Sequence, residues 1–115
     1  METAIKIFSN PQFGEIRTII NSGEPMFAGV DVCKILGYSN TSKAISDHTD
    51  EEERYNESLD RGGNMIFINE SGLYSLIIRS NKAEAKSFRK WVTSEVLPSI
   101  RKSGGYIANP DDALK

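Results

Sequence analysis

Two clusters of side chains in this 115-residue chain have the chemistry to contact a nucleic acid. The first is a run of consecutive polar residues: Ser39, Asn40, Thr41, Ser42 and Lys43. Hydroxyl, amide and ammonium groups are the donors that bind phosphate oxygens and base edges. Hydroxyl and amide oxygens also cap helix N-termini, and capping alone explains Ser39 and Asn40. The run therefore predicts either a DNA contact or a simple helix start, and Asn40 can serve as both.

The second cluster is basic and lies further along the chain, at Lys82, Lys86, Arg89 and Lys90. Helical spacing predicts that these residues share one arc of a helix, from which they would neutralise phosphates. A solvated helix face is the alternative, because most charge runs on helices are of that kind. Arg61 is a further candidate for a backbone contact, since it lies in the turn signal at residues 60–63 of a predicted hairpin.

No residue pattern in the sequence predicts catalysis or a bound cofactor. The one histidine, His48, lies among acidic residues at a predicted helix end, where a capping or hydrogen-bonding role is favoured over metal or general-base chemistry. The sequence has no nucleophile with a positioned base, no Gly-rich phosphate loop and no paired metal-ligand spacing. The acidic run at residues 47–60 leaves a metal-dependent nuclease as a hypothesis, but a solvated loop explains it more simply. We therefore expect no enzyme activity, no cofactor and no metal.

The overall charge differs from the strongly basic balance of many DNA-binding domains. The formal net charge is −2 and the sequence pI is near 5.4. The charges are segregated along the chain, however, with residues 47–60 mostly acidic and residues 79–102 mostly basic. Phosphate charge is felt over a Debye length of roughly 8 Å at physiological salt, so a basic face can act within an acidic molecule. The balance lowers the expected non-specific affinity without excluding DNA.

The length is that of one ordinary domain with a core of its own. Apolar runs fall well short of the roughly 20 residues needed to cross a bilayer. The N-terminus lacks the basic start, apolar stretch and cleavage site of a secretory signal. Cys33, the single cysteine, is expected to be a small buried hydrophobe. We expect a cytoplasmic protein with no membrane association.

The polar run lies inside a predicted pair of short helices at residues 29–48. Apolar recurrence predicts a first helix of about two turns that ends at Gly37, a residue suited to a left-handed cap. A second helix is predicted from Thr41 to about His48, anchored by Ala44 and Ile45. Its outward side chains would be Ser42, Lys43, Ser46 and Asp47. This is the pattern of a helix-turn-helix, whose second helix enters the DNA major groove, although ordinary helical corners share it.

The remaining chain predicts a single α+β domain. Strand candidates at residues 4–8, 15–21 and 26–29 form an antiparallel meander, and residues 55–59 and 65–68 form a hairpin. After the second helix this hairpin would either sit like a wing or merely cover the core. Further helices are predicted at residues 70–79, with Asn69 as the N-cap, and from Lys82 to about Val96, with Pro98 kinking or restarting the second. Residues 1–105 would form the domain, and residues 106–115 the start of a linker to a C-terminal domain.

Two segments carry a family resemblance. GYSNTSKAISDHTDEEER at residues 37–54 and FINESGLYSLIIRSNKAEAKSFRKWVTSEVLPSIRKSGGY at residues 67–106 closely resemble the Bro-N domain. This is the N-terminal domain of phage and prophage antirepressors and of the BRO proteins of large DNA viruses. The opening of the chain is similar too, so the resemblance covers residues 5–106. It implies a DNA-binding regulatory module, usually followed by a separate C-terminal domain.

The sequence departs from the family pattern at two places. Members often carry a lysine before the DV of the first helix and a tryptophan in the preceding strand, where this chain has Val30 and Met26. The first change removes a cation and the second leaves a smaller apolar anchor. Both bear on affinity more than on fold.

We expect double-stranded DNA binding by a phage-type antirepressor, with the helix after Asn40 in the groove and backbone contacts from the basic helix and Arg61. The rival function is a protein-interaction module that inactivates a phage repressor without touching DNA, which the negative net charge favours. A homo-oligomer is an open alternative, since helix-turn-helix modules often act as dimers, but the sequence has no heptad pattern.

Overall fold

A five-stranded antiparallel sheet forms the centre of the structure, a computed structural model that describes residues 5–58 and 63–102. Within those residues the strands are β1 (Lys6–Asn10), β2 (Gly14–Asn21), β3 (Glu24–Ala28), β4 (Arg54–Ser58) and β5 (Asn64–Asn69). Their spatial order is β1-β2-β3-β5-β4. The predicted meander and hairpin are both confirmed, and they join because Phe27 of β3 pairs with Ile68 of β5.

The helices are α1 (Gly29–Ile35), α2 (Thr41–His48), α3 (Glu70–Arg79), α4 (Ala85–Trp91) and α5 (Leu97–Lys102). A 3-10 turn (Glu51–Glu53) follows α2, and a π turn (Val92–Val96) joins α4 to α5. Together with the sheet they confirm the predicted α+β fold. Within the described residues, none of the helices is long and apolar enough to cross a membrane.

The prediction that the basic helix begins at Lys82 is wrong, because α4 begins at Ala85. The Ser80 hydroxyl accepts a hydrogen bond from the Lys82 N–H at 3.1 Å and donates one to Leu36 O at 2.8 Å, which holds this segment out of the helix. The Pro98 break takes the form of the π turn, in which the Leu97 N–H donates to Val92 O. A local π turn is a common way for a helix to absorb such an irregularity.

The helices pack on one face of the sheet, where Ile16, Phe27 and Ile68 meet their apolar side chains. Trp91 and Phe88 lie in this core and Phe13 packs against both rings, so these aromatic side chains serve the packing of α4. Strand alternation places a second cluster on the opposite face: Ile19, Met26, Ala28 and Phe67. Strand β3 therefore contributes buried side chains to both faces.

Cys33 is fully buried in the core, as the sequence predicts. Burial raises the pKa of its thiol to about 11, because the thiolate would lose its hydration there. The residue therefore acts as a small apolar side chain and not as a nucleophile.

The connection between α1 and α2 begins with a glycine-dependent cap. Gly37 has a φ of +83°, the Tyr38 N–H donates to Cys33 O at 2.9 Å, and the Gly37 N–H donates to Lys34 O at 3.3 Å. These paired bonds form a Schellman motif, which satisfies the last carbonyls of α1. The Tyr38 hydroxyl also donates to Leu76 O at 2.7 Å, so the connection is fixed to α3.

Helix α2 is held against α1 and α3 by few apolar side chains. Ala44 and Ile45 are its buried residues, as predicted. A Cβ placed on Gly29 would lie 2.5 Å from Ile45 Cδ1 and 3.2 Å from the Ile66 carbonyl oxygen. The missing side chain at Gly29 is therefore what lets α2 approach the start of α1.

We expect Gly37→Ala to lower the free energy of unfolding by about 1–2 kcal/mol through backbone strain, because φ is positive there. A further loss is expected because the new Cβ would lie 3.0 Å from the Lys82 side chain. Urea denaturation followed by circular dichroism would measure both effects.

Gly23→Ala is the matched control, since Gly23 has a φ of +81° and nothing within 4 Å of an added Cβ. It should show the backbone penalty alone. Equal losses in the two variants would show that the contact between the added Cβ and the Lys82 side chain does not lower the stability.

Candidate nucleic-acid interface

The outward face of α2 consists of polar side chains that take no part in the core. The exposed residues are Ser42, Lys43, Ser46 and Asp47, as the sequence predicts. They lie opposite Ala44 and Ile45, which face the protein. This face can therefore present donors and acceptors to a partner without disturbing the packing.

Asn40 is the N-cap of α2, because its side-chain oxygen accepts a hydrogen bond from the Lys43 N–H at 3.1 Å. The cap uses the side-chain oxygen, so the amide NH2 group can donate to another partner. Ser39 is exposed and Thr41 is half-buried. Capping is therefore an observed role of Asn40, and contact of this polar run with DNA stays a prediction.

Lys43 and Asp47 form an ion pair one helical turn apart, with 2.8 Å between Nζ and Oδ2. Their mutual hydrogen bond raises the pKa of Lys43 and lowers that of Asp47. Both side chains stay exposed, at 70% and 47% of their surface. The outward face of α2 thus carries one charge of each sign, and Lys43 is not an unpaired cation.

Three cations surround the connection that precedes α2. Lys34 is exposed in the last turn of α1, and the alkyl chain of Lys82 lies against Gly37. Arg79 ends α3, and the Tyr38 hydroxyl donates to Leu76 O in the same last turn, so Arg79 lies near the same connection. Sequence reasoning missed Lys34 and Arg79 as site residues, although Lys34 lies just before the predicted Gly37 stop. It included Lys82, but on a helix arc where the structure does not place it.

A groove of about 610 Å³ runs between α1, the β1–β2 turn and Lys82. Arg17 and Asp31 close part of it with paired contacts of 2.9 Å (Nε to Oδ2) and 2.8 Å (Nη2 to Oδ1), and the Arg17 N–H also donates to Asp31 Oδ2. The hydrogen bond to Asp31 raises the pKa of Arg17. The charged lining is balanced: Glu15, Arg17, Asp31, Lys34, Lys82 and Glu84. The lining therefore has no net charge, and the Arg17–Asp31 pair fixes α1 to β2.

Lys86, Arg89 and Lys90 are exposed on α4, on the arc opposite Phe88 and Trp91. The predicted basic arc is thus present without Lys82. Helix α4 packs against α3 and the π turn, whereas α2 packs against α1 and α3. Helix α3 is therefore the common packing partner of α4, which carries the basic arc, and of α2, which carries the polar face.

The β4–β5 hairpin lies beside the start of α2, as a wing would. Thr41, Ser42 and Ile45 of the helix face Met65 and Ile66 of β5 across a hollow of about 350 Å³. Arg61, predicted at the hairpin tip, lies outside the described residues.

The end of α2 explains part of the acidic run. Arg54 donates from Nη2 to Thr49 O at 2.5 Å and from Nε to the Thr49 hydroxyl at 2.8 Å, which caps the helix C-terminus. Glu53 accepts hydrogen bonds from the Asp50 N–H at 2.7 Å and from the Ser71 hydroxyl at 2.5 Å.

His48 packs its ring against Tyr38. Among residues 5–58 and 63–102, no group of three His, Cys, Asp or Glu side chains is placed to hold a metal ion.

Comparison with known proteins assigns the family. Residues 15–98 match the Bro-N model, described as "BRO family, N-terminal domain", and this range includes the α1–α2 pair, the hairpin and the basic arc. The chain belongs to the Bro-N family. The resemblance noted in the sequence is thereby confirmed.

Two relatives illustrate the extent of the similarity. An uncharacterized protein of Haemophilus influenzae is 48% identical over 99 residues, which cover 83% of this chain and 49% of the relative. The putative Bro-N domain-containing protein 289L of Invertebrate iridescent virus 6 is 37% identical over 103 residues, which cover 71% of this chain and 25% of the relative. The Bro-N chain thus spans about half and a quarter of these relatives' lengths. No solved structure matches it significantly.

We expect Asn40→Ala to lower the free energy of unfolding by about 1 kcal/mol, because the first turn of α2 loses its cap. Asn40→Asp keeps an acceptor oxygen and should retain the stability of the native chain. Chemical denaturation would measure both variants. Equal losses from the two substitutions would contradict a capping role.

Glu53 predicts a pH dependence of stability. The Ser71 hydroxyl and the Asp50 N–H hold the pKa of its carboxyl below the ordinary value of 4.5. Because the folded pKa is the lower one, the carboxylate stabilises the fold above pH 4.5, and this contribution is lost as the pH falls through the folded pKa. Glu53→Gln should therefore be less stable at pH 7 and lose less between about pH 5 and pH 3.

Denaturant midpoints measured from pH 3 to pH 7 would test this. Glu51→Gln, at an exposed carboxylate of the same turn, is the control and should follow the native pH profile. An unchanged profile in Glu53→Gln would contradict the prediction.

Proposed function

We propose that this Bro-N domain is the double-stranded DNA-binding module of a phage or prophage regulator of the antirepressor type, with α2 as the helix that enters the major groove. The observation that carries the proposal is the outward face of α2, whose exposed side chains Ser42, Lys43, Ser46 and Asp47 have no role in packing. Short polar and charged side chains on one helix face are what readout of base edges requires. The resemblance to phage antirepressors supports the regulatory role.

Phosphate contacts in this proposal come chiefly from residues outside α2. Lys43 is paired with Asp47 and cannot supply much net attraction. Lys34, Arg79 and Lys82 lie around the connection before α2. The DNA phosphate backbone beside the major groove would pass this connection. The exposed arc of Lys86, Arg89 and Lys90 on α4 supplies further phosphate contacts in this proposal. In the family of helix-turn-helix modules such backbone contacts position the helix, and base contacts specify the sequence.

We infer that the domain binds and does not catalyse. Its acidic residues are engaged in structural roles at several positions: Asp31 binds Arg17, Asp47 binds Lys43, and Glu53 binds Ser71. Carboxylates that are bonded to structural partners in this way are typical of a folded binding surface and not of a reaction centre. No cofactor is needed for the proposed activity.

Fluorescence anisotropy of the full chain with a labelled random-sequence duplex, at several salt concentrations, tests the proposal. We expect binding that weakens with salt, because phosphate neutralisation releases counterions. Lys34→Ala and Lys82→Ala should each reduce the slope of log K against log salt by about one unit. Lys86→Ala should do the same if the α4 arc contacts the backbone.

Lys6→Ala is the charge-matched control, since Lys6 lies on edge strand β1 against the Phe8 ring and away from the α1–α2 connection. Its salt slope should equal that of the native chain. Undetectable binding to duplex at low salt would overturn the proposal.

A repressor-binding module that does not contact DNA is the second candidate function. The observation that favours it is the hollow beside α2, where Val30 and Ile66 are 43% and 39% exposed next to Met65. Exposed apolar side chains in a concave site are typical of protein contacts. This candidate predicts no affinity for random duplex at any salt concentration, so the anisotropy titration separates the two functions.

A further inference from the structure

We infer that the Lys43–Asp47 ion pair reads a single G·C base pair in the major groove, and that Asp47 determines this preference. The inference rests on the proposed function, because it takes α2 as the helix in the groove. It goes further by assigning a base pair to two residues.

The spacing of the pair matches the edge of a G·C pair. Lys43 Nζ and Asp47 Oδ2 are 2.8 Å apart on the exposed face of α2. In a G·C pair, guanine O6 accepts from cytosine N4 across about 2.9 Å, the ordinary length of an N–H···O hydrogen bond. An ammonium facing O6 and a carboxylate facing N4 would therefore meet an acceptor and a donor at the same separation. Each side chain keeps its partner within the pair while binding the base.

The ammonium distinguishes a G·C pair from an A·T pair. An A·T pair also has a donor beside an acceptor, since adenine N6 lies next to thymine O4. Thymine O4 is flanked by the C5 methyl group, whereas guanine O6 is flanked by N7, a second acceptor. Lys43 has three ammonium donors, and Asp47 uses one of them. The remaining donors fit O6 and N7 together, and beside thymine one would face a methyl group.

Asp47 makes the affinity conditional on the base. A lysine alone would be attracted to phosphates at any sequence. In the groove the Asp47 carboxylate keeps the bond from Lys43 but loses water at its other acceptor sites, so binding is weaker where no base amino group donates to it. Asp47 thus rejects wrong base pairs as well as accepting the right one, which is how specificity often arises.

The test is selection of bound sequences from a random duplex pool, using the full chain and its Asp47→Ala variant. We expect a position in the native pool at which G·C dominates, and a loss of that preference of about ten-fold in the variant. Glu52→Ala is the charge-matched control, because Glu52 is exposed outside α2. Both variants should bind random duplex more tightly, but Glu52→Ala should keep the G·C preference. Circular dichroism would show that both are folded.

Modified bases at the selected position test the contacts themselves. Inosine keeps O6 and N7 and changes only the minor groove, so binding should be unchanged. Replacement of guanine N7 by carbon in 7-deazaguanine should weaken binding by the native chain.

The outcomes separate the two proposals. Binding without a G·C position, or a G·C preference that persists in Asp47→Ala, overturns the inference and leaves DNA binding intact. Enrichment of A·T at a position that depends on Asp47 also overturns it. No binding of any duplex at low salt overturns both the inference and the proposed function.

Discussion

The closure of the C-terminal end of α1 is the constraint on which the placement of the candidate interface depends. The last carbonyls of a helix need donors, and here one donor is the hydroxyl of Ser80 at the C-terminal end of α3, which binds Leu36 O. In the other direction, the Tyr38 hydroxyl donates a hydrogen bond to Leu76 O of α3. These two contacts fix the connection before α2 to the end of α3, and they bring Lys82 onto the turn. The same contacts therefore fix the connection that leads into α2 and place a cation, Lys82, beside it.

Local signals made much of the fold predictable from the sequence. Strand alternation, the Gly37 stop and the Asn40 and Asn69 caps each act within a few residues, and the structure contains the elements they predict. The position of Lys82 was not predictable in this way, because it depends on the Ser80–Leu36 hydrogen bond across 44 residues. The same is true of the cations that gather around the α1–α2 connection. Their proximity is a property of packing and has no periodic signature.

The net charge of the chain says little about the electric field at α2. Several carboxylates are committed to partners inside the protein, including Asp31 with Arg17 and Asp47 with Lys43. An ion pair at contact distance has a weak field beyond its own dimensions, because its charges cancel. Each such pair contributes zero to the formal charge of −2, so the field at α2 depends on where the remaining charged groups lie. Local arrangement, and not the sum, decides which surface an anion would approach.

The small number of buried residues in α2 has a consequence for how such domains diversify. Ala44 and Ile45 hold the helix, and its outward positions make no contribution to the core. Substitution at exposed positions of this kind usually changes stability very little. Residues that maintain the fold and residues proposed to meet a partner are thus separate sets in α2. A lineage can acquire a new binding preference by single steps, each of which leaves a folded protein for selection to act on.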